Sequence, residues 1–361
     1  MTRAADHVFM AQALRLAELG LFSSTPNPRV GCVIVKDGVV VGEGWHRRAG
    51  EAHAEIHALN AAGELARGAT AYVTLEPCSH HGRTPPCAEA LITAGVARVV
   101  AAMEDPNPQV AGSGMSRLRA AGIVVECGVL ASEARELNIG FVSRMTRGRP
   151  WLRLKLAASL DGKTALENGV SQWITGPQAR QDGHRWRARA CAILTGIGTV
   201  REDDPQLNVR GVETERQPLN VIVDGRLELP LDARLLNGDG VLIACAMDDA
   251  AKSSALREHG AEVVPLPGAN GKVDLPALMQ ELGRRGINEV HVEGGARLNG
   301  ALLAAGLVDE LLIYLAPCLI GNAARGLFDL PALESLEGQH RVVIRDVRQV
   351  GDDLRLLARL S

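Results

Sequence analysis

Met10, Ala13, Leu14, Ala17 and Leu21 recur three and four residues apart, a spacing that predicts an amphipathic helix near the start of the chain. Continuous apolar runs then take over. Residues 30–35 read as a strand, Lys36-Asp37-Gly38 as a hairpin turn, and residues 39–41 as the returning strand. Beyond them, helical patterns at 54–66, 86–94 and 116–121 alternate with apolar runs at 69–75, 97–102 and 123–127. One hairpin followed by alternating helices and strands predicts a mostly parallel or mixed sheet sandwiched between helices, over residues 1–145.

The stretch 144–150, RMTRGRP, is basic and punctuated by Gly148 and Pro150, and reads as a linker. The alternation restarts after it. Strands are expected at 151–158, 191–195, 221–223, 241–246 and 289–292, and helices near 178–189, 250–258 and 275–285. The tail differs, because 311–315, 342–347 and 354–360 have no long helix between them. That pattern predicts an antiparallel edge on a second α/β sheet, over residues 146–361. No internal repeat or low-complexity tract interrupts either half.

Composition narrows the options. A length of 361 residues suits about two domains. A formal net charge of −3 and only 3% aromatic residues argue against a nucleic-acid-binding surface. No apolar run reaches the length of a membrane span, and Asp6, Arg15 and Glu18 interrupt any secretory pattern at the start. A cytoplasmic protein with reduced cysteines is therefore expected, so that clustered Cys points to metal rather than to disulfides. Cys32, Cys127, Cys191, Cys245 and Cys318 fall in or beside apolar stretches and read as core.

The clearest chemistry lies in His53-Ala54-Glu55, Pro77-Cys78 and Pro86-Cys87. An imidazole and two thiolates fill three positions of a tetrahedral zinc and leave one for water. A neighbouring glutamate can then carry protons between water, a ring nitrogen and departing ammonia. This is the signature of zinc hydrolytic deaminases. Residues two apart on a regular helix point about 200° apart, so His53 must sit at a helix start for it and Glu55 to share a target. Cys87, after Pro86, would lie at a helix N-terminus, where the dipole favours a thiolate. The two cysteines are nine apart rather than three, and the insert SHHGRTPP offers His80 and His81 as rival ligands. The second thiolate balances the ion's charge better and is preferred. Asn27, in PNPRVG, suits a hydrogen bond to a ring edge or a ribose hydroxyl, and equally a turn into the first strand.

The second half speaks less clearly. No GxGxxG follows a strand, so a Rossmann site is not supported. Gly196-Ile197-Gly198-Thr199 and Glu293-Gly294-Gly295-Ala296 each follow a strand and could present amides to an anion. Arg185, Arg187, Arg189, Arg201 and Arg210 lie near these turns, one or two as phosphate clamps and most as a solvated helix face. Lys155, flanked by leucines, points to solvent or lines a polar cleft.

The first half resembles the cytidine-deaminase-like superfamily. PCSHHGRTPPC, with PNPRVG before it and EDPNPQVAGSG after it, narrows the resemblance to the bifunctional riboflavin-biosynthesis deaminase/reductase family, where the nine-residue cysteine spacing is usual. The resemblance implies a three-layer cytidine-deaminase-like domain with zinc on His53, Cys78 and Cys87, Glu55 as proton shuttle, and Asn27 and His80 on the substrate. KLAASLDGKTA, SQWITG, GIGTVREDDPQLNVR and VEGGARLNGALLAAGLVDEL resemble the reductase half of the same family, which implies a dihydrofolate-reductase-like domain using NADPH. Mapped motif by motif, Ala157, Trp173, Thr199, Asp203 and the run Gly295, Ala296, Arg297, Leu298, Asn299, Gly300 and Ala301 would contact NADPH. Ser171, Arg187, Leu207, Arg210 and Glu293 would hold a phosphoribosylated pyrimidine. Gly225 stands where the family leads one to expect a cofactor-contacting serine. Because active sites of this superfamily often lie near subunit contacts, a homo-oligomer is expected, with no nucleic-acid or membrane partner.

Overall fold

The structure, a computed structural model, describes residues 3–79, 86–108, 110–247 and 249–361. It divides into two compact units, Met1–Gly148 and Arg149–Ser361.

In the first unit, α1 (Arg3–Glu18) leads into the hairpin β1 (Gly31–Lys36) and β2 (Val39–Trp45), then α2 (Ala54–Ala62), β3 (Thr70–Val73), α3 (Cys87–Thr93), β4 (Arg98–Ala101), α4 (Ser113–Ala120), β5 (Val124–Cys127), α5 (Ala131–Leu137) and α6 (Ile139–Arg147). The sheet order is β2-β1-β3-β4-β5. β1 runs antiparallel to β2 and β3, and β3, β4 and β5 are mutually parallel. The mixed sheet follows from the hairpin, since two residues can only join antiparallel strands whereas the later crossovers are helical.

Glycines let two helices sit unusually close to the hairpin. A Cβ on Gly31 would fall 2.0 Å from the Ala13 carbonyl oxygen of α1, and one on Gly44 2.4 Å from that of Ala54 in α2. No side chain fits there, so these contacts fix where α2 begins. Alanine on the helix side completes the approach, with Ala13, Ala54, Ala58 and Ala62 all buried. The core is otherwise the aliphatic faces of β1, β3 and β4 with Met10, Leu91 and Leu118.

The second unit contains β6 (Trp151–Ser159), β7 (Lys163–Ala165), α7 (Pro177–Arg189), β8 (Ala192–Gly196), α8 (Ile197–Asp203), β9 (Leu219–Val223), β10 (Val241–Cys245), α9 (Ala250–Glu258), β11 (Ala261–Pro265), α10 (Leu275–Arg284), β12 (Glu289–Val292), α11 (Ala296–Ala304), β13 (Glu310–Ala316), β14 (Arg325–Gly326), β15 (Val342–Val350) and β16 (Asp353–Leu360). Its sheet runs β11-β10-β9-β8-β12-β6-β13-β16-β15. The strands are parallel from β11 through β13, and β16 and β15 close it antiparallel. β7 and β14 form a separate ribbon.

The central strands divide their residues by face. Leu152, Leu154, Leu156, Val290 and Val292 enter the main core. The alternate residues Arg153, Glu289, His291 and Glu310 are buried too, although polar or charged. Arg153 donates to Glu310 at 2.6 Å and to Glu289 at 3.1 Å, and its guanidinium lies 4.4 Å from the centre of the Trp186 ring of α7. A buried cation is tolerable here because two carboxylates and an aromatic face replace its water.

Two sequence expectations need correction, and one strand was not foreseen. The stretch 144–150 is helical through Arg147, and α6 ends at the left-handed Gly148, so the turn there is far shorter than a linker. Cys127 and Cys318 are exposed rather than core, whereas Cys32, Cys191 and Cys245 are buried. β11 carried too weak a pattern to be expected: it is an edge strand of five residues that includes exposed Glu262 and Pro265.

Candidate active sites

In the first unit, the start of α2 and the start of α3 meet beyond the end of β3. His53 is the cap residue of α2, with extended backbone (φ −76°, ψ 166°), and Glu55 lies in the first turn. The cap position removes the conflict of helical spacing, since His53 is outside the regular turns. Pro86 caps α3, and Cys87 is its first residue. His53 Nδ1 lies 3.6 Å from Cys78 Sγ and 3.3 Å from Cys87 Sγ. The three ligand atoms all fall within 4.8 Å of one another. The Cys87 backbone N–H donates to Cys78 Sγ at 3.3 Å, an amide at a helix start serving a thiolate.

The electrostatics suit a cation. A hydrogen bond from the Cys87 thiol, aided by His53, holds Cys78 down to about 4, and the same bond pushes Cys87 up. Glu55 is buried, and burial together with the Cys78 charge pushes its carboxyl up to about 7. That is a suitable range for a group that both takes and returns a proton.

Two features of this site went unseen in the sequence. His46 is buried, with its ring edge-on to that of His53 at 5.3 Å. Its Nδ1 lies 3.2 Å from the Ala52 carbonyl oxygen, and its Nε2 lies 3.1 Å from Asn27 Nδ2. A ring that donates through Nδ1 accepts through Nε2, so the Asn27 amide is held by its nitrogen and its oxygen is left for other partners. The PNPRVG turn is itself clamped by Asn138, which accepts from the Arg29 N–H at 2.7 Å and donates to the Arg29 carbonyl at 2.9 Å. Second, buried Glu76 accepts from the amides of Asp105, Gly112, Gly114 and Met115, at 2.8–3.2 Å. It ties the loop after β4 and the start of α4 to the strand end that carries Cys78. Only contacts 29 to 39 residues away in sequence reveal this role. His80, expected on the substrate, lies outside the described residues.

In the second unit, the two glycine turns meet at the C-terminal ends of β8 and β12. Gly196 caps α8 and Gly295 caps α11, neither with a side-chain cap. A Cβ on Gly295 would lie 3.9 Å from Thr199 Oγ1, so Thr199 and the second turn face one another. Among the run 295–301, Gly295 and Arg297 are exposed at the helix start, with Ala296 and Leu298 half-buried beside them. Asn299 and Gly300 are buried, with Asn299 donating to the Leu327 carbonyl and a Cβ on Gly300 meeting the Asp329 carbonyl at 2.0 Å. These two therefore shape the turn from beneath, and Ala301 lies a further residue along the helix. Ala157 is half-buried on β6, opposite Tyr314 of β13. Trp173 is exposed, with the Arg180 guanidinium 4.5 Å from its ring centre, and Ser171 is half-buried two residues before it. Asp203 closes α8 on an exposed surface. At Gly225, a Cβ would approach the Gly271 carbonyl to 3.2 Å, which leaves little room for serine without a shift of that loop.

The expected substrate residues gather under α7. Arg187 grips Glu293 through two bonds of 2.5 and 2.9 Å and also donates to the Asn208 carbonyl. Burial alone would raise the Glu293 carboxyl, but Arg187, His291 and Lys155 hold it well below its ordinary range. Lys155 is half-buried rather than solvated, and burial, together with Arg187, lowers its ammonium. Arg210 is exposed and donates to two neutral amides, Gln206 Oε1 and Asn208 Oδ1, while its N–H donates to His184 Nδ1. Burial and the two arginines push His184 down to about 4, so it is a neutral acceptor. Leu207 is buried at the turn between them, with a left-handed φ of 48°. Arg189 and Arg201, by contrast, are engaged by Glu289 and Glu228. A cavity of about 470 Å³ elsewhere in this unit is lined by Leu166, Glu167, Asn168, Ile320, Ala323 and Ala324 and includes none of the expected residues.

A mixed sheet with a His/Cys/Cys donor set at two helix starts places the first unit among zinc-binding deaminases. Residues 3–103 match the family model for the cytidine and deoxycytidylate deaminase zinc-binding region, and residues 150–356 match that for the RibD C-terminal domain. The fold is thus a cytidine-deaminase-like domain followed by a dihydrofolate-reductase-like one. The chain is 52% identical to the riboflavin biosynthesis protein RibD of Escherichia coli (strain K12), over 97% of this chain and 98% of that protein. It is 43% identical to the RibD of Aquifex aeolicus (strain VF5), over 98% of each. Among solved structures, Acinetobacter baumannii RibD superposes with a TM-score of 0.93 at 46% identity, covering 99% of both chains. A diaminohydroxyphosphoribosylaminopyrimidine deaminase/5-amino-6-(5-phosphoribosylamino)uracil reductase from Thermotoga maritima does so with 0.89 at 33%, again covering 99% of both. This chain belongs to the RibD family, riboflavin-biosynthesis enzymes that join a zinc-dependent deaminase to an NADPH-dependent reductase.

Proposed function

We propose that the chain performs two consecutive steps on one phosphoribosylated pyrimidine. The first replaces the 2-amino group of 2,5-diamino-6-(phosphoribosylamino)pyrimidin-4-one by oxygen and releases ammonia. The second reduces the ribosyl group of the product to a ribityl chain. The observation that carries this reading is the meeting of His53, Cys78 and Cys87 beside buried Glu55. We assign the deaminase to residues 1–145 and the reductase to residues 146–361.

His53, Cys78 and Cys87 would hold the zinc, and their chemistry fits it: one imidazole and two sulfurs, with no fourth protein ligand beside them among the described residues. Bound there, zinc makes water a nucleophile near neutral pH. Glu55 carries the two protons of the attacking water in turn, one to the ring nitrogen and one to the leaving amine. Asn27, held through its nitrogen by His46, offers its oxygen to a donor on the substrate, and His80 is assigned a second contact.

In the second unit the uncapped turns at Gly196 and Gly295 fit the phosphates of a dinucleotide, with Ala157, Trp173, Thr199, Asp203 and residues Gly295 to Ala301 around it. NADPH supplies the hydride. The exposed Arg210, whose guanidinium donates to the neutral side-chain amides of Gln206 and Asn208, offers its charge to the substrate phosphate. Arg187 and Glu293 hold the sugar end, with Ser171 and Leu207 beside them. Positioning then does most of the work. We further propose a homo-oligomer. The exposed Val342, Val343, Ile344 and Val347 on edge strand β15 support it. No helix among the described residues is long and apolar enough to cross a membrane, and a cytoplasmic location suits cysteines that form no disulfide among the described residues.

The test mixes the zinc-loaded chain with the diaminopyrimidinone and NADPH and follows ammonia and nicotinamide absorbance together. Ammonia first and NADPH loss second is the expected order. A folded, zinc-loaded chain that releases no ammonia would overturn the substrate assignment.

A further inference from the structure

His291 is fully buried in the middle of β12, and among the described residues neither of its ring nitrogens makes a hydrogen bond of good geometry. A buried polar group left in this state costs stability, so its position calls for a physical reason. Its neighbours are charged. It pairs across the sheet with Arg153 on one side and with Ile193 on the other. Its Nε2 lies 3.4 Å from Glu293 Oε1, on the same sheet face two residues on. That oxygen also accepts from Arg187 Nε of α7, while the second Glu293 oxygen accepts from Arg187 Nη2. The groups facing this strip are Arg153, Lys155, Glu289 and Glu293 from the strands and Arg187 from α7. Aliphatic Val290 and Val292 turn the other way into the core, so an apolar residue at 291 would break no pattern that the core requires.

We propose that His291 is a positioning residue of the reductase site: its ring N–H underlies Glu293 from the sheet side and keeps that carboxylate aimed at the substrate when Arg187 turns to the ligand. The geometry matches this role. Glu293 follows β12 directly, its N–H donating to the Leu194 carbonyl and its own carbonyl accepting from Thr195 Oγ1, so the backbone is fixed and the carboxylate alone is free to turn. Arg187 of α7 holds that carboxylate on one side and His291 faces it from the strand. Without a second donor beneath, a shift of Arg187 toward a bound substrate would release the carboxylate. The 3.4 Å separation leaves a donor in reserve, ready to close when Arg187 moves. The inference rests on the reading of Glu293 as a substrate-holding residue.

The experiment compares His291→Leu, His291→Gln and Glu293→Gln in the full-length, zinc-loaded chain. The substrate for reduction is the deaminated compound with NADPH. Gln keeps an N–H near the position of Nε2, whereas Leu keeps only volume. His291→Leu is expected to lower kcat/KM for the sugar substrate about tenfold, the size of one hydrogen bond to a charged group. KM for NADPH and the rate of ammonia release stay unchanged, and His291→Gln recovers most of the loss. Wild-type behaviour of His291→Leu, or equal loss in Leu and Gln, overturns the inference. A Glu293→Gln variant that reduces normally would instead overturn the site reading beneath it. Should His291→Leu fail to fold, 15N-histidine labelling of the wild-type chain decides. A neutral ring with its proton on Nε2, whose signal moves when substrate binds, is expected. A proton on Nδ1, or a signal that substrate leaves unmoved, overturns the inference.

Discussion

Glu55 shows how one residue carries two consequences of its burial. Its carboxyl is pushed up to about 7 from an ordinary 4.5. The folded metal-free chain therefore binds more protons than the unfolded chain between those values, and this contribution to stability falls as pH rises through that window. Glu55→Gln is thus expected to raise the melting temperature of the chelator-treated chain at pH 8 and to leave it nearly unchanged at pH 4.5. A thermal melt at both values checks this. In the zinc-loaded chain the same substitution removes the proton carrier, so ammonia release falls by at least about a hundredfold, with zinc content by metal analysis unchanged. Normal deamination by that variant would remove Glu55 from its role. The type and spacing of His53, Glu55, Cys78 and Cys87 were legible in the sequence because zinc chemistry demands them. His46 and Glu76 were not, because their roles arise from partners remote in sequence, nor was His291, whose place depends on which face of the sheet it occupies.

At the scale of elements, helix starts organise both sites. α2 and α3 begin where the zinc donors lie, and α8 and α11 begin at the glycine turns. Each helix start exposes amides that no helical carbonyl satisfies. What holds the starts in place is close packing. A Cβ on Gly114, in α4, would lie 1.9 Å from the Pro77 carbonyl oxygen and 3.2 Å from Glu76 Oε1. Gly114→Ala must push apart the helix and the strand end beside Cys78. It is expected to destabilise the first unit by about 2 kcal/mol and to weaken zinc binding, as read by calorimetry and by competition with a chromogenic chelator. Unchanged melting and zinc affinity would show that this contact is easily relieved. The alternation of strands and helices was largely readable from periodicity. The run 144–150 misled because basic residues and one glycine look like a linker, whereas α6 buries Ile139, Gly140, Val142 and Ser143 and so extends through Arg147.

For the whole molecule, two units with separate cores and separate chemistry predict separable losses. Removing zinc is expected to abolish ammonia release while the chain still oxidises NADPH with the deaminated compound. Arg210→Ala should do the reverse, lowering kcat/KM for reduction about tenfold or more and sparing deamination. Parallel assays with the two substrates read both. Loss of both activities from either change, in a chain that stays folded, would mean that the two reactions share a determinant.

Sequence alone determined which chemistry is present, since a hydrophobic period of two or three to four residues sets each element and the donor types H, C, C and E admit few reactions. It also marked where anions could be met, because glycine after a strand and before a helix leaves free amides. Tertiary structure decided everything that depends on distance between remote residues. It brought Cys87 to His53, gathered the amides of Asp105, Gly112, Gly114 and Met115 on Glu76, held the Asn27 amide nitrogen on His46 and set His291 beside Glu293. These contacts leave no local periodic trace, because each depends on packing between elements dozens of residues apart or on the alternation of a sheet face, and neither is specified by a residue's immediate neighbours.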